Sequence, residues 1–353
     1  RATQWRVSQI RHNLALTCGR PLGAQSNRLR SESLREFILW RNAQVKRTPP
    51  DSLVSVVIPS YNHAAYLRQA LESVFAQTYR NIELVVIDDG SSDGSAPLLE
   101  RLLERCPFPA KWVARENRGA PATINEGIGL ARGDYINILN SDDYFAPNRI
   151  ARMLEEVASR NVAWGFSKVA LFPTGGDASL GFTAGQARIQ AQVESAAHIL
   201  GKTSNSMSFV EFNSAISTGN LFFHRDLYQR LGGFRNYKYN HDWDFCLRAS
   251  CLAEPWYVDE PLYFYRVHHS NTILGSGSAA LAEVIEIFHD VLFSEQADAS
   301  IEPNPLSPVS DRYKALTHGM VLHSGANSVM PIDRLKAIVD ALGRKPQHGA
   351  RVQ

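Results

Sequence analysis

The clearest pattern in the chain begins near residue 53. Residues 54–58 form a nearly continuous apolar run closed by Pro59, as expected of a strand buried on both faces. Leu67, Ala70, Leu71, Val74 and Phe75 follow at helical spacing within 66–77, an apolar stripe for one side of a helix. A second apolar run at 82–87 ends in the cluster DDGSSD at 88–93, which has turn and cap chemistry. The same rhythm predicts a helix over 95–105, a strand near 111–115, a helix over 120–131 and a strand over 135–139. Alternation at these lengths predicts a parallel sheet with right-handed crossovers.

Past residue 160 the rhythm loosens. A strand is predicted over 162–172, a Gly-rich loop over 173–185 and a helix over 186–200. A further helix is expected over 241–252, with strands near 256–259 and 262–267. After Gly277 the pattern is helical, over 279–295, 311–323 and 331–343, interrupted by a Pro-rich break at 302–308. The division expected is an N-terminal extension (1–50), a first half of the main domain (51–160), a second half (161–274) and a helical C-terminal extension (275–353).

Composition narrows the class. Of 353 residues, 44% are hydrophobic and 20% charged, ordinary for a soluble globular chain. No apolar stretch is long enough to span a membrane, and no signal-peptide core opens the chain. It begins at Arg1, as a piece of a longer protein would. Cysteines at 18, 106, 246 and 251 include no CxxC pair, so they read as thiols of a reducing compartment. The net charge of +2 conceals an asymmetry: residues 1–50 hold ten Lys/Arg and two Asp/Glu, and the remainder is acidic. Such an arm suits a membrane surface or another domain, or it is a helical extension packing Leu34, Phe37, Ile38 and Trp40. The location expected is cytoplasmic, with the arm suited to the inner face of the membrane. No nucleic-acid partner is expected.

Ligands of an open parallel sheet bind outside the carboxyl ends of its strands. Those ends carry PSYN at 59–62, Asp88 and Asp89, and NSDD at 140–143. Each group alone is also explained by turns and caps. Two acidic pairs on one rim repel and call for a cation or a proton. Carboxylate oxygens suit Mg²⁺ or Mn²⁺, and those suit a diphosphate. Neither GxxxxGK[ST] nor a GxGxxG after the first strand is present, which argues against an ATPase and a dinucleotide oxidoreductase.

Six ordered blocks carry a stronger signal: VSVVIPSYN (54–62), IELVVIDDGSSDGS (82–95), ENRGAPATINEGIGLARGDYINILNSDDYFAP (116–147), TGNLFFHRDLYQRLGGF (218–234), HDWDFCLR (241–248) and YRVHHSNTI (265–273). Through them, residues 53–270 resemble the inverting family 2 glycosyltransferases of the GT-A fold. The resemblance implies an α/β fold whose Rossmann-like, mostly parallel sheet is flanked by helices, with helical extensions at both ends. It implies that Pro59 and Tyr61 border a nucleotide base, that Asp89 accepts a hydrogen bond from a uracil-type N3–H, and that Asp88 shapes that pocket. NSDD matches the acidic segment that holds a metal on the donor diphosphate: Asp142 and Asp143 match its ligands, while Asn140 replaces its first aspartate. Asp242 matches the catalytic base, with His241 where the family has an acid. Arg118 and His268 are candidates for the diphosphate, His268 also for the metal. Gly219, Asn220 and Trp243 are candidates for the acceptor side.

The activity so implied is metal-dependent (Mn²⁺ or Mg²⁺) transfer of a sugar from a UDP- or dTDP-type donor, with inversion, in bacterial glycan or glycoconjugate synthesis. The acceptor hydroxyl belongs to a glycan, a lipid-linked oligosaccharide or a protein. Two other readings stand beside it: a decayed nucleotide-sugar- or glycan-binding module, suggested by Asn140 and His241, and a sugar nucleotidyltransferase, which lacks its expected Gly-rich loop after the first strand.

Overall fold

The computed structural model describes residues 51–160, 162–173, 184–200, 204–268, 271, 277–293, 304–310 and 317. The basic N-terminal extension and the helices expected over 311–323 and 331–343 lie outside this set, Thr317 apart. Among these residues one mixed sheet of eight strands organises the fold, in the order β3 (Ala110–Ala114), β2 (Ile82–Asp88), β1 (Val54–Ser60), β4 (Tyr135–Ile138), β7 (Phe222–His224), β6 (Trp164–Pro173), β8 (Trp256–Val267) and β5 (Tyr144–Phe145).

Its first half follows the predicted alternation. Strands β1 (Val54–Ser60), β2 (Ile82–Asp88), β3 (Ala110–Ala114) and β4 (Tyr135–Ile138) are mutually parallel. Between them run helices α1 (Ala64–Phe75), α2 (Ser95–Leu103) and α3 (Ala120–Leu130). The apolar runs of β1, β2 and β4 are buried almost throughout, so both faces of this part of the sheet are covered. Helix α3 packs against β1 and β2. It approaches closely at Gly127, where a Cβ would lie 2.5 Å from Val57 Cγ1.

The second half departs from parallel order. Strand β5 is the two-residue Tyr144–Phe145, followed by helix α4 (Arg149–Arg160) and the long strand β6 (Trp164–Pro173). Helices α5 (Ala184–Ile199) and α6 (Asn205–Glu211) lead to β7 (Phe222–His224), α7 (Arg225–Leu231) and α8 (His241–Leu252). Strand β7 lies antiparallel between β4 and β6. The two strands expected over 256–267 are one, β8 (Trp256–Val267), parallel to β6 with register shifts near Pro261. Proline has no N–H to give the ladder, so the strand bulges there. Helix α9 (Gly277–Phe288) continues into a π-helical turn, His289–Phe293.

A polar network crosses the core under β7. Arg149 is fully buried and donates to Asn137 Oδ1 (3.1 Å), Ser167 Oγ (2.7 Å), Asn220 Oδ1 (3.2 Å) and the Asn220 carbonyl (2.8 Å). Its guanidinium lies over the rings of Phe145 and Tyr263. Burial pushes its pKa down to about 9.

Candidate active site

Because β1, β2 and β4 are parallel, their carboxyl ends deliver three loops to one rim. The first two are tied together. Asn62, at a φ of 53°, accepts from the Ser92 amide (2.8 Å), and its own amide donates to Ser91 Oγ (2.9 Å). Asp93 accepts from the Ala64 amide at the start of α1 (2.8 Å). Pro59 is half-buried on this rim, and Tyr61 is 48% exposed, an aromatic face open to a planar ligand.

Asp88 and Asp89 are both buried. Asp88 accepts from the amide (3.0 Å) and hydroxyl (2.7 Å) of Ser91. Asp89 accepts from the amides of Arg118 (2.8 Å) and Gly119 (2.9 Å) and from the Arg115 guanidinium. Arg115 also holds Glu126 (2.7 Å) and Thr123 (3.0 Å); burial lowers its pKa, but these bonds outweigh that and raise it. Asp89 thus fixes the loop that leads into α3. A carboxylate has about four acceptor sites, which leaves one for a ligand N–H. Arg118 contributes its main-chain amide here, and its side chain is exposed.

The third loop separates two neighbouring carboxylates. Asp142 Oδ2 lies 3.0 Å from His268 Nε2 and 3.8 Å from His63 Nε2. Burial raises the Asp142 pKa, but the hydrogen bond with His268 and the charges of His63 and His268 prevail and lower it. His63 Nδ1 is anchored on Ser141 Oγ at 2.8 Å, and this turns its Nε2 toward Asp142. One atom each from His63, Asp142 and His268 lie within 4.8 Å of one another. Two imidazoles and a carboxylate make a donor set that fits a divalent transition metal such as Mn²⁺ better than Mg²⁺. Asp143 points elsewhere. It accepts from the Arg266 amide (2.7 Å) and the Tyr263 hydroxyl. Burial and the charge of Asp142 push its pKa well above the usual carboxylate range.

Asn140 donates to Ser217 Oγ at 2.9 Å. Gly219 sits against the same rim, since a Cβ there would lie 2.2 Å from the Tyr263 hydroxyl and 2.9 Å from the Asn140 amide. Thr218 Oγ1 meets His241 Nε2 at 3.0 Å. Two consecutive residues, Ser217 and Thr218, therefore connect the acidic rim to the first turn of α8. Asp242 lies in that turn, buried, accepting from the Trp243 amide at 2.8 Å. Burial raises its pKa, opposed by the charge of His241 and by hydrogen bonds from Trp243 and Asn213. Burial, then the charges of Asp143, Asp142 and Asp242, push Tyr265 well above the usual phenol range.

Two expected acceptor residues are brought elsewhere. Asn220 is fully buried in the Arg149 network and donates to the Ser167 and Ala215 carbonyls (2.8 and 3.0 Å). Trp243 donates to the Phe209 carbonyl at 2.7 Å and packs edge-on against Phe288. Sequence reasoning passed over His63, Arg115 and Tyr263. The signal for His63 was its place directly after PSYN, at the carboxyl rim of β1.

Comparison with known proteins points the same way. Residues 55–175 match the family described as glycosyl transferase family 2. This is a glycosyltransferase with a GT-A-like fold. An uncharacterized glycosyltransferase of Nostoc sp. is 28% identical to it over 230 residues, 64% of this chain and 68% of that one. Among solved structures, the glycosyltransferase superposes on S. aureus TarS 1–349 in complex with UDP-GlcNAc with a TM-score of 0.59 at 15% identity, covering 82% of this chain and 80% of that one. It also superposes on the mannosyltransferase PcManGT of Pyrobaculum calidifontis in complex with GDP-Man and Mn²⁺, with a TM-score of 0.53 at 19% identity, covering 87% and 86%. At these identities the likeness is one of fold. Cys106, Cys246 and Cys251 are free thiols in this glycosyltransferase, and no helix among the described residues is long and apolar enough to cross a membrane.

Proposed function

We propose that this glycosyltransferase moves a glycosyl unit from a uridine- or thymidine-diphosphate donor to an acceptor hydroxyl, with inversion and with a divalent metal, in bacterial glycan or glycoconjugate synthesis. The observation that carries this reading is the His63–Asp142–His268 cluster, tied through Ser217 and Thr218 to the helix that bears Asp242. Residues 51–160 would bind the donor and 161–274 the acceptor, a glycan, lipid-linked or protein hydroxyl. The basic arm, residues 1–50, would meet a membrane surface or another domain at the cytoplasmic side.

Pro59 and Tyr61 flank the base. Asp89 accepts its N3–H, braced by Asp88 and by the amides of Arg118 and Gly119. The structural neighbours are in complex with UDP-GlcNAc in one case and with GDP-Man and Mn²⁺ in the other. The fold therefore tolerates more than one base, and Asp89 is what favours the pyrimidine. His63, Asp142 and His268 would hold the metal, Mn²⁺ in preference to Mg²⁺. Bound there, it would stabilise the negative charge that grows on the departing diphosphate. Asn140 and Gly219 shape the sugar end of the rim.

Asp242, as carboxylate, takes the proton of the acceptor hydroxyl while that oxygen attacks the anomeric carbon. The bond from that carbon to the diphosphate oxygen breaks, and its electrons leave with the diphosphate. Attack from the opposite side inverts the centre. The test is a panel of nucleotides titrated calorimetrically with Mn²⁺ present, followed by donor turnover. UDP and dTDP should bind more tightly than ADP and CDP. A preference for ADP or CDP, or full turnover in EDTA, overturns the reading.

A further inference from the structure

Helix α9 lies outside the stretch that matches the family, yet it grips the segment leading into α8. Glu283 Oε1 accepts from the Lys238 amide at 2.7 Å. Its Oε2 accepts from the amides of Tyr239 (2.9 Å) and Asn240 (3.0 Å) and from Asn240 Nδ2 (3.1 Å). Three successive main-chain N–H groups thus converge on one carboxylate, a concave anion nest filled from within the chain. Other contacts run in parallel: Asn240 Nδ2 donates to the Ala280 carbonyl (2.9 Å), Arg235 to Asp290 (3.0 Å) and Tyr237 to Glu286 (3.3 Å). Phe288 packs on Trp243.

Asn240 is the residue at which α8 begins, and its side chain does not cap that helix. The amide is held by α9 instead, while the Asn240 carbonyl accepts from the Asp244 amide (2.9 Å). The placement of Asn240 therefore sets the first turn, and Asp242 is the second residue of it. We propose that Glu283 is a positioning residue for sugar transfer: by gathering the Lys238–Asn240 amides it fixes the first turn of α8, and with it the carboxylate of Asp242, against the acceptor. This rests on the reading of Asp242 as base.

The experiment uses the full chain with Glu283→Ala, Glu283→Gln, Asp242→Asn and the double variant Glu283→Ala/Asp242→Asn. Misplacement by about 1 Å costs up to roughly 100-fold in rate, so Glu283→Ala should lower kcat by about 10- to 100-fold. Its KM for donor and its UDP affinity should stay within about twofold. Glu283→Gln, which keeps an acceptor oxygen, should fall between it and the wild type and serves if the Ala variant does not fold. Added formate, small enough to enter the vacated nest, should restore part of the Glu283→Ala rate. In the Asp242→Asn background, Glu283→Ala should cost little more, because both act through one group. Parallel losses of kcat and UDP affinity, an undiminished effect in that background, or wild-type kcat in Glu283→Ala would overturn the role of Glu283. Wild-type turnover by Asp242→Asn would instead remove the base, and the inference with it.

Discussion

Asp142 and Asp143 are adjacent in sequence but belong to different environments: Asp142 Oδ2 stands 3.0 Å from His268 Nε2, whereas Asp143 is bonded to Tyr263 and the Arg266 amide. Only the first faces the two imidazoles. Losing a group that holds or orients a metal ligand costs about 10- to 100-fold in metal affinity. Asp142→Asn and His63→Ala should therefore weaken Mn²⁺ binding in the presence of UDP by at least about tenfold. Asp143→Asn should leave that affinity within a few-fold and lower the melting temperature instead. Calorimetric Mn²⁺ titration of the three variants checks this, and the reverse ranking refutes it.

Asp242 and Asp244 divide in a similar way. Asp244 is fully buried and paired with both Arg235 and Arg248, at 2.8 Å and 2.6 Å for the Arg235 Nε and Arg248 Nη2 contacts. Removing one partner of a buried ion pair costs about 3–5 kcal/mol. Arg235 is a third exposed, so Asp244→Asn should cost about 3 kcal/mol in urea unfolding. Asp242→Asn should instead fold normally, bind UDP normally and lose about 10²- to 10⁴-fold in transfer rate. A folded Asp244→Asn that is inactive, beside an active Asp242→Asn, would exchange their roles.

The pKa of Asp242 is raised by burial above its ordinary 3.8, and the charge of His241 works against that rise. A protonated carboxyl cannot take the acceptor proton, so activity is lost as pH falls through the raised value. The acid limb of kcat should lie above the ordinary aspartate range. His241→Gln removes the opposing charge and should move the limb further up. A limb that moves down in this variant contradicts the assignment.

Glu83 supplies a stability test away from the site. Burial raises its pKa, but bonds from Ser55 (2.6 Å), the Arg132 amide and side chain (3.0 Å for Nε) and the charge of Arg132 prevail and lower it below 4.5. The folded state then holds fewer protons than the unfolded chain, so stability is full above the ordinary value and falls as pH drops through the lowered one. Urea midpoints should decline below about pH 4.5, and Glu83→Gln should flatten that decline. An unchanged slope would assign the acid sensitivity to other carboxylates.

The first half of the fold is legible in the sequence because β1, β2 and β4 are buried on both faces, which leaves uninterrupted apolar runs. The second half resists because its strands are defined by partners. Tyr144–Phe145 is a strand only because it pairs with Tyr263 and Phe264, and no two-residue pattern announces that. In the candidate site, Asp142, His268 and Asp242 stood out through ordered blocks. His63 did not, since its partners Ser141, Asp142 and His268 lie 78 to 205 positions away. Asn220 is the converse: a polar residue in a matched block whose amide serves Arg149, as the apolar residues after it hint.

That Arg149 network bears on which sheet the chain can build. Its guanidinium is satisfied by Asn137 on β4, Ser167 on β6 and Asn220 in the turn before β7, the strand that lies between those two. A chain that inserted β7 elsewhere, or closed β6 directly onto β4, would leave a cation in the interior without these acceptors, a penalty of several kcal/mol. The buried arginine thus adds to the native strand order a polar requirement that an interior of apolar side chains alone would not impose.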